Sequence, residues 1–171
     1  LRAAKHPNII AVKDAKGDLA QASRIMNETD LMYFSGDDAN VLPHVSIGAT
    51  GMISVTANIA PAAYREMMDA TNRNDFHHAL KVHNSLEPLQ RAAMTHVPGT
   101  VAAKYILHGL GIISSPRVRL PLVGPEDAEA ARIESDIEKV GKVTGLSFDN
   151  FRPDRNAAAG GALPKVAGTT R

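Results

Sequence analysis

Apolar positions near the start of the chain run without alternation through Asn8-Ile9-Ile10-Ala11-Val12 and stop on a lysine. A short run of this kind, bounded by His6-Pro7 and by Gly17-Asp18, predicts a strand that is apolar on both faces, as in a parallel sheet covered on both sides. Side chains alternate along a strand, so Ile9, Ala11 and Lys13 share one face while Ile10 and Val12 share the other. Lys13 therefore prolongs an apolar face at the strand's C-terminal end. The pattern then changes to helical spacing. Asp18 is the expected N-cap of a helix over Leu19–Glu28, with Leu19, Ala22, Ile25 and Met26 inward. Leu31–Phe34 predicts a second strand, Ala39–Ile47 a short helix, Gly51–Thr56 a third strand and Ala60–Ala70 a helix with Pro61 in its first turn. Strand ends near residues 13, 36 and 55 give a repeat of roughly twenty residues, the rhythm of βα units in a parallel sheet.

Downstream the period is helical throughout. Asp75–Thr95 carries Phe76, Leu80, His83, Leu86, Leu89 and Gln90 at helical spacing. Thr100–Leu110 is a further helix, ended by Gly109 and Gly111, and Pro125 opens a last one with the stripe Ala130, Ile133, Ile137 and Val140. Beyond Gly141 the residues turn small and polar without periodicity, so residues 143–171 are expected to form a disordered tail in which Phe148 and Phe151 could dock locally.

The 171 residues suffice for one domain with a real core, and 44% hydrophobic with 22% charged residues is ordinary for a soluble globular protein. A net charge of +1 gives no bulk electrostatic reason for nucleic-acid or membrane binding. The absence of cysteine excludes disulfides, thiol catalysis and thiolate-ligated zinc. No apolar run approaches the ~20 residues of a membrane span, and no signal-peptide pattern occurs. The chain starts at Leu1, and Leu1–Pro7 reads as the end of a helix entering a strand, so the chain is expected to begin in mid-domain.

Lys13 is the first candidate for chemistry. A lysine at the C-terminal end of a parallel strand sits where α/β barrels keep their active sites, and desolvation would free its amine for imine formation with a carbonyl. The competing reading is a surface lysine at a strand–loop junction. Lys16, beside a glycine, reads as a solvated loop residue. In Ser35-Gly36-Asp37-Asp38, Asp38 is a candidate N-cap and Gly36 a place where backbone can approach a ligand. The acid pair has no further residues nearby to complete a metal site. The glycines of Gly48-Ala49-Thr50-Gly51 precede a strand, the wrong order for a phosphate loop. His77 and His78 are adjacent, and His78 and His83 are five apart, so neither pair shares a helix face; all seven histidines read as surface or satisfied groups.

The order "NIIAVKDAKGDL", "YFSGDD", "GATGMISVTANIAP" and "RLPLVGP" resembles the C-terminal half of the dihydrodipicolinate synthase (4-hydroxy-tetrahydrodipicolinate synthase) family, Schiff-base lyases of the pyruvate-dependent class I aldolase type. The resemblance covers residues 1 to about 142. It implies an α/β fold, part of a TIM (β/α)8 barrel with strands six to eight over 1–72, followed by a C-terminal helical domain over 73–142. It implies that Lys13 is the catalytic lysine forming an imine with pyruvate, whose enamine attacks aspartate semialdehyde in lysine and diaminopimelate biosynthesis. Gly36 matches the glycine whose backbone approaches the adduct, and Ile53 the isoleucine lining the pyruvate pocket. It further implies a covalent lysine imine with no metal or other cofactor, a homo-oligomer (dimer or tetramer) and a cytoplasmic location.

A (β/α)8 barrel needs eight strands and typically ~250 residues, and three strands are legible here. The family's threonine pair, proton-relaying tyrosines and substrate-gripping arginine belong to the missing part, and Tyr33, Tyr64 and Tyr105 stand in no context that replaces them. The 171 residues alone are therefore expected to be inactive. Rival readings are another pyruvate-dependent Schiff-base lyase, such as N-acetylneuraminate lyase or a 2-keto-3-deoxy-sugar aldolase, and a non-catalytic remnant that only associates.

Overall fold

Each predicted strand is followed by a helix, and the crossovers pair the strands in parallel. The computed structural model describes residues 2–155. β1 (Ala11–Asp14), β2 (Met32–Ser35) and β3 (Gly51–Met52) form one sheet in the order β1-β2-β3. Asp18 caps α1 (Leu19–Glu28), accepting from the Gln21 N–H at 2.9 Å. Gly17 makes the preceding turn at φ +74°, and a Cβ there would lie 2.9 Å from Asn40 Nδ2, so the first two βα loops pack together only around a glycine. A 3-10 turn (Asp38–Asn40) leads into α2 (Val41–Ser46).

The register places Lys13 opposite Phe34 and Phe34 opposite Gly51. By alternation, Ala11, Lys13, Met32, Phe34, Gly36, Gly51 and Ile53 share one face, and Val12, Asp14, Tyr33, Ser35 and Met52 share the other. Along β2 the pattern is visible directly: Tyr33 and Ser35 are buried, while Met32 is exposed and Phe34 half-buried. Coverage on both faces, expected from the apolar run, is not what the structure shows. α1 and α2 pack against β2 on the Tyr33 side, because crossovers of one hand carry successive helices to one side of the sheet. On the opposite face Met32 and Ile53 are 42% and 55% exposed. Pairing begins at Ala11, three residues later than expected, and β3 is two residues long where six were expected. Beyond Met52 the chain bends into a 3-10 turn (Thr56–Asn58). Before β1, where the end of a helix was expected, Ala3–Lys5 form a 3-10 turn.

Most of the core lies in the helices. α3 (Pro61–Asn72), α5 (Gly99–Gly109) and α6 (Asp127–Ile137) all pack on α4 (Phe76–Met94). Ala79, Val82, Leu86, Leu89, Ala92 and Ala93 bury the inner surface of α4, and Ala130, Ile133 and Ile137 that of α6. α6 starts two residues after Pro125, where Glu129 accepts the Glu126 N–H at 2.8 Å. Asp136, 5% exposed, ties α6 to the end of α4, receiving Arg91 Nε at 3.0 Å, His96 Nε2 at 2.8 Å and Lys139 Nζ at 3.2 Å. Burial raises this carboxyl, but the hydrogen bonds from His96, Arg91 and Lys139 outweigh it and hold the group below its ordinary value. Among the described residues no helix is long and apolar enough to cross a membrane.

The expectation of a disordered tail from residue 143 meets a docked segment over 143–155. Val143 is buried against the helical core. The Phe151 ring lies over Gly109, where a Cβ would come within 2.3 Å of it, and the Arg152 N–H donates to Gly109 O at 2.8 Å. Arg155 pairs with Glu134, and Thr144 donates to Glu66. Sparse apolar residues without periodicity suffice here because the helices already present a surface to dock on. The remainder of that expectation, residues 156–171, lies outside the described residues.

Ending the chain at Lys142 should therefore lower the unfolding free energy by about 2–5 kcal/mol in a urea titration, from the lost burial of Val143 and Phe151. An unchanged midpoint would return residues 143–155 to an undocked tail. Asp136→Asn should cost about 3 kcal/mol at neutral pH. The folded-state value of Asp136 lies below the ordinary 3.8, so its contribution is complete above that value and is lost as pH falls through the lower, folded one. The stability curves of the two proteins should thus begin to approach each other below about pH 4 and meet only once the pH has fallen through the folded-state value.

Candidate active site at the rim of the sheet

Lys13 and Gly36 meet at the C-terminal rim of the open face. A Cβ built on Gly36 would lie 2.2 Å from Lys13 Cε and 2.8 Å from Cδ, so the lysine stem crosses the space a side chain at 36 would fill. Neither Lys13 nor its amine has a hydrogen-bond or ion-pair partner among the described residues. Lys16 differs: its Nζ donates to Gln21 Oε1 at 3.0 Å and pairs with Asp18 at 3.5 Å, as a loop residue would. Ile53 continues the same face from β3, its N–H donating to Ser35 O at 2.8 Å. It stands two strands from Lys13, roughly 10 Å away. The structure thus brings Lys13 and Gly36 into contact and sets Ile53 on their face without touching them. The apolar surround expected to desolvate the lysine is absent among these residues, since Lys13 is exposed.

Under the rim, the covered face is polar and tightly bonded. Tyr33, 1% exposed, donates from Oη to Asp14 Oδ2 at 2.6 Å, and the Lys16 N–H donates to Asp14 Oδ1 at 2.7 Å. Burial raises the Asp14 carboxyl; the bonds from Tyr33 and the Lys16 N–H, with the charges of His44 and Lys16, more than offset this and hold it low. Burial, then the bond to Asp14, pushes the Tyr33 hydroxyl well above its ordinary value. Ser35 Oγ donates to Asp37 O at 3.0 Å and lies 2.8 Å from His44 Nδ1, which makes Nδ1 the donor to it. The His44 ring packs on Tyr33 with centroids 5.5 Å apart.

The two aspartates of the Ser-Gly-Asp-Asp stretch divide their work differently from expectation. Asp37, not Asp38, caps the turn, accepting from the Ala39 N–H at 3.2 Å and from Asn40 Nδ2 at 2.6 Å. Asp38 is buried and accepts from the Thr56 N–H at 2.9 Å and Oγ1 at 2.7 Å. Gln90 Nε2 donates to Asp38 O at 3.2 Å and to Tyr64 Oη at 3.1 Å, linking this loop to α4. A cap is readable from local order, whereas Asp38 depends on a partner 18 residues away. Tyr33, Asp14, Ser35 and His44 were equally hidden, since only the register shows that Tyr33 and Asp14 point the same way. Tyr105 donates to Glu134 at 2.5 Å as Tyr33 does to Asp14, whereas Tyr64 Oη accepts from Gln90, so all three tyrosine hydroxyls are engaged. Among the described residues no three His, Asp or Glu side chains converge as a metal site would need.

The family model described as "Dihydrodipicolinate synthetase family" matches residues 1–140. A 4-hydroxy-tetrahydrodipicolinate synthase of Kineococcus radiotolerans is 39% identical over 141 residues, covering 82% of this chain and 46% of the relative. One of Ruegeria pomeroyi is 43% identical over 140 residues, covering 81% and 48%. The crystal structure of the chloride-inhibited dihydrodipicolinate synthase from Acinetobacter baumannii, complexed with pyruvate, superposes with a TM-score of 0.74 at 30% identity, covering 82% of this chain and 48% of that one. The chain spans about half the length of the curated relatives it matches.

The contact at Gly36 yields a separable prediction. Its backbone is free of left-handed strain, and the atoms in the way belong to a flexible side chain. Gly36→Ala should therefore change the unfolding free energy by less than about 1 kcal/mol. It should displace the Lys13 amine, and slow its reaction with a carbonyl compound such as pyruvate about tenfold or more. A wild-type rate would show that the lysine reacts from another rotamer.

Proposed function

The chain belongs to the dihydrodipicolinate synthetase family, and we propose that it forms the C-terminal part of a 4-hydroxy-tetrahydrodipicolinate synthase in which Lys13 condenses with pyruvate. The observation that carries the reading is the unpartnered Lys13 amine at the C-terminal end of a parallel strand, laid across Gly36 on the open face. In this reading β1, β2 and β3 are the sixth, seventh and eighth strands of a (β/α)8 barrel. Residues 1–72 complete the barrel and 73–142 form an appended helical domain. The open face is the barrel interior, and the other strands' inward side chains cover Ala11, Met32, Phe34 and Ile53. They also supply the dry surround that favours a neutral amine.

The amine lone pair of Lys13 attacks the keto carbon of pyruvate, and loss of water from the carbinolamine gives the imine. The protonated imine draws electrons from the methyl carbon, which gives up a proton to become an enamine. That carbon attacks the aldehyde of aspartate semialdehyde and forms the new carbon–carbon bond, the oxygen taking up a proton. The substrate's own amine then displaces Lys13 as the product cyclises. Gly36 leaves room for the stem and brings backbone near the adduct, and Ile53 contributes apolar wall. The covalent imine is the electron sink, so the reading calls for no metal or organic cofactor. It also implies a homo-oligomer, a dimer or tetramer, in the cytoplasm. Residues 1–171 alone supply the nucleophile without the groups that hold the carboxylate of pyruvate, and we expect them to turn nothing over.

Borohydride reduction in the presence of pyruvate is the test, applied to this chain assembled with the first barrel half of a curated relative. Peptide mapping should place the reduced adduct on Lys13. Lys13→Arg should abolish it and lower turnover by at least about 10³-fold. An adduct on Lys16 or Lys104, or none, overturns the assignment.

A further inference from the structure

We infer that Tyr33 and Asp14 are positioning residues for Lys13: a clamp on the covered face of the sheet that fixes the backbone from which the lysine projects on the other side. The inference rests on the reading of Lys13 as the imine-forming residue. Asp14 follows Lys13 at the end of β1, and three separate bonds converge on it. Tyr33 Oη reaches Oδ2 at 2.6 Å, the Lys16 N–H reaches Oδ1 at 2.7 Å, and the Gly36 N–H reaches the main-chain O at 2.7 Å. The first ties β1 to β2 side chain to side chain, the second closes the loop after β1, and the third binds the residue that Lys13 lies across. Tyr33 is itself immobilised, being buried beneath α1 and α2 and held against His44.

The arrangement matters because the lysine's other restraints are weak. Among the described residues its stem touches Gly36 but its amine has no hydrogen-bond or ion-pair partner, so the direction of the Cα–Cβ bond is the restraint these residues set most firmly. β1 ends at Asp14, so beyond the bond from the Gly36 N–H no strand pairing holds the loop that follows Lys13. Losing the Tyr33 bond leaves the Asp14 side chain held only by its own loop, through the Lys16 N–H, and removes the side-chain tie between β1 and β2. A misplacement of about 1 Å at a reacting group costs on the order of 100-fold in rate.

Tyr33→Phe keeps the ring against His44 and removes the single bond. In the assembled protein, the rate of imine formation at saturating pyruvate should fall between about 10- and 100-fold, with the KM for pyruvate within about twofold of wild type. Asp14→Ala should follow Tyr33→Phe. Asp14→Asn keeps an acceptor for the Lys16 N–H and a partner for Tyr33, and should restore most of the rate. A wild-type rate for Tyr33→Phe overturns the clamp, as does an Asn variant as slow as the Ala variant, which would assign the effect to charge. Amide exchange over residues 13–17 of the 171-residue chain is read independently of pyruvate, and Tyr33→Phe should speed it about tenfold. Failure of wild-type Lys13 to trap pyruvate would remove the function proposed for it; unchanged exchange would remove the clamp.

Discussion

The register that sets Lys13 opposite Phe34 is the constraint on which the rest of this structure depends. Side chains alternate with a period of two, so a slip of one residue between β1 and β2 would exchange the faces. Lys13 would turn toward the helices, and Tyr33 would lose Asp14. The covered face holds the register in place. Val12, Tyr33, Ala22, Ala49, Ile25 and Met26 form a small apolar cluster of their own. The Tyr33–Asp14 and Ser35–His44 pairs then give that cluster a directional match that apolar packing alone lacks.

Stability and chemistry are separated in space. The large core belongs to α3–α6, where small alanines along α4 let three helices approach it closely. The βα part joins that core through Val41 and Leu42 of α2 and through Met52 of β3, and polar links add to this apolar contact. Asp38 receives the Thr56 N–H and hydroxyl, and Gln90 of α4 reaches both Asp38 O and Tyr64. A buried carboxylate of this kind is expensive unless its partners are in place, so the loop after β2 has one well-defined arrangement. Gly36 sits in that loop, between the strand end and the capped turn, and is therefore anchored from both sides.

The open face is the thermodynamically unfinished part. Met32 and Ile53 stay 42% and 55% exposed on a surface that also carries Phe34 and two glycines. At about 25 cal/mol per Å², apolar area of this size is a driving force for covering the face with further chain. The relatives that the chain matches are about twice its length. In the function proposed, the covering that completes the core also completes the site.

Much of this was legible in the sequence because local order carries it. The Asp18 cap and the bounds of α1 follow from a side-chain acceptor before an amphipathic run, and α3 to α6 follow from period and punctuation. The βα rhythm and the family motifs pointed to a lysine, Lys13, at a strand end, and β1 carries it there. What only the tertiary structure decided are quantities that involve two distant segments. Which face of the sheet is covered depended on where the crossovers carry α1 and α2, which an apolar run such as Ile9–Val12 does not encode. The exchange of roles between Asp37 and Asp38 depended on Thr56 arriving from the far side of β3. The docking of residues 143–155 depended on a glycine at the end of α5 leaving room for Phe151. Periodicity reports how a segment meets its own secondary structure; partners far apart in the chain meet only when the fold has brought them within bonding distance.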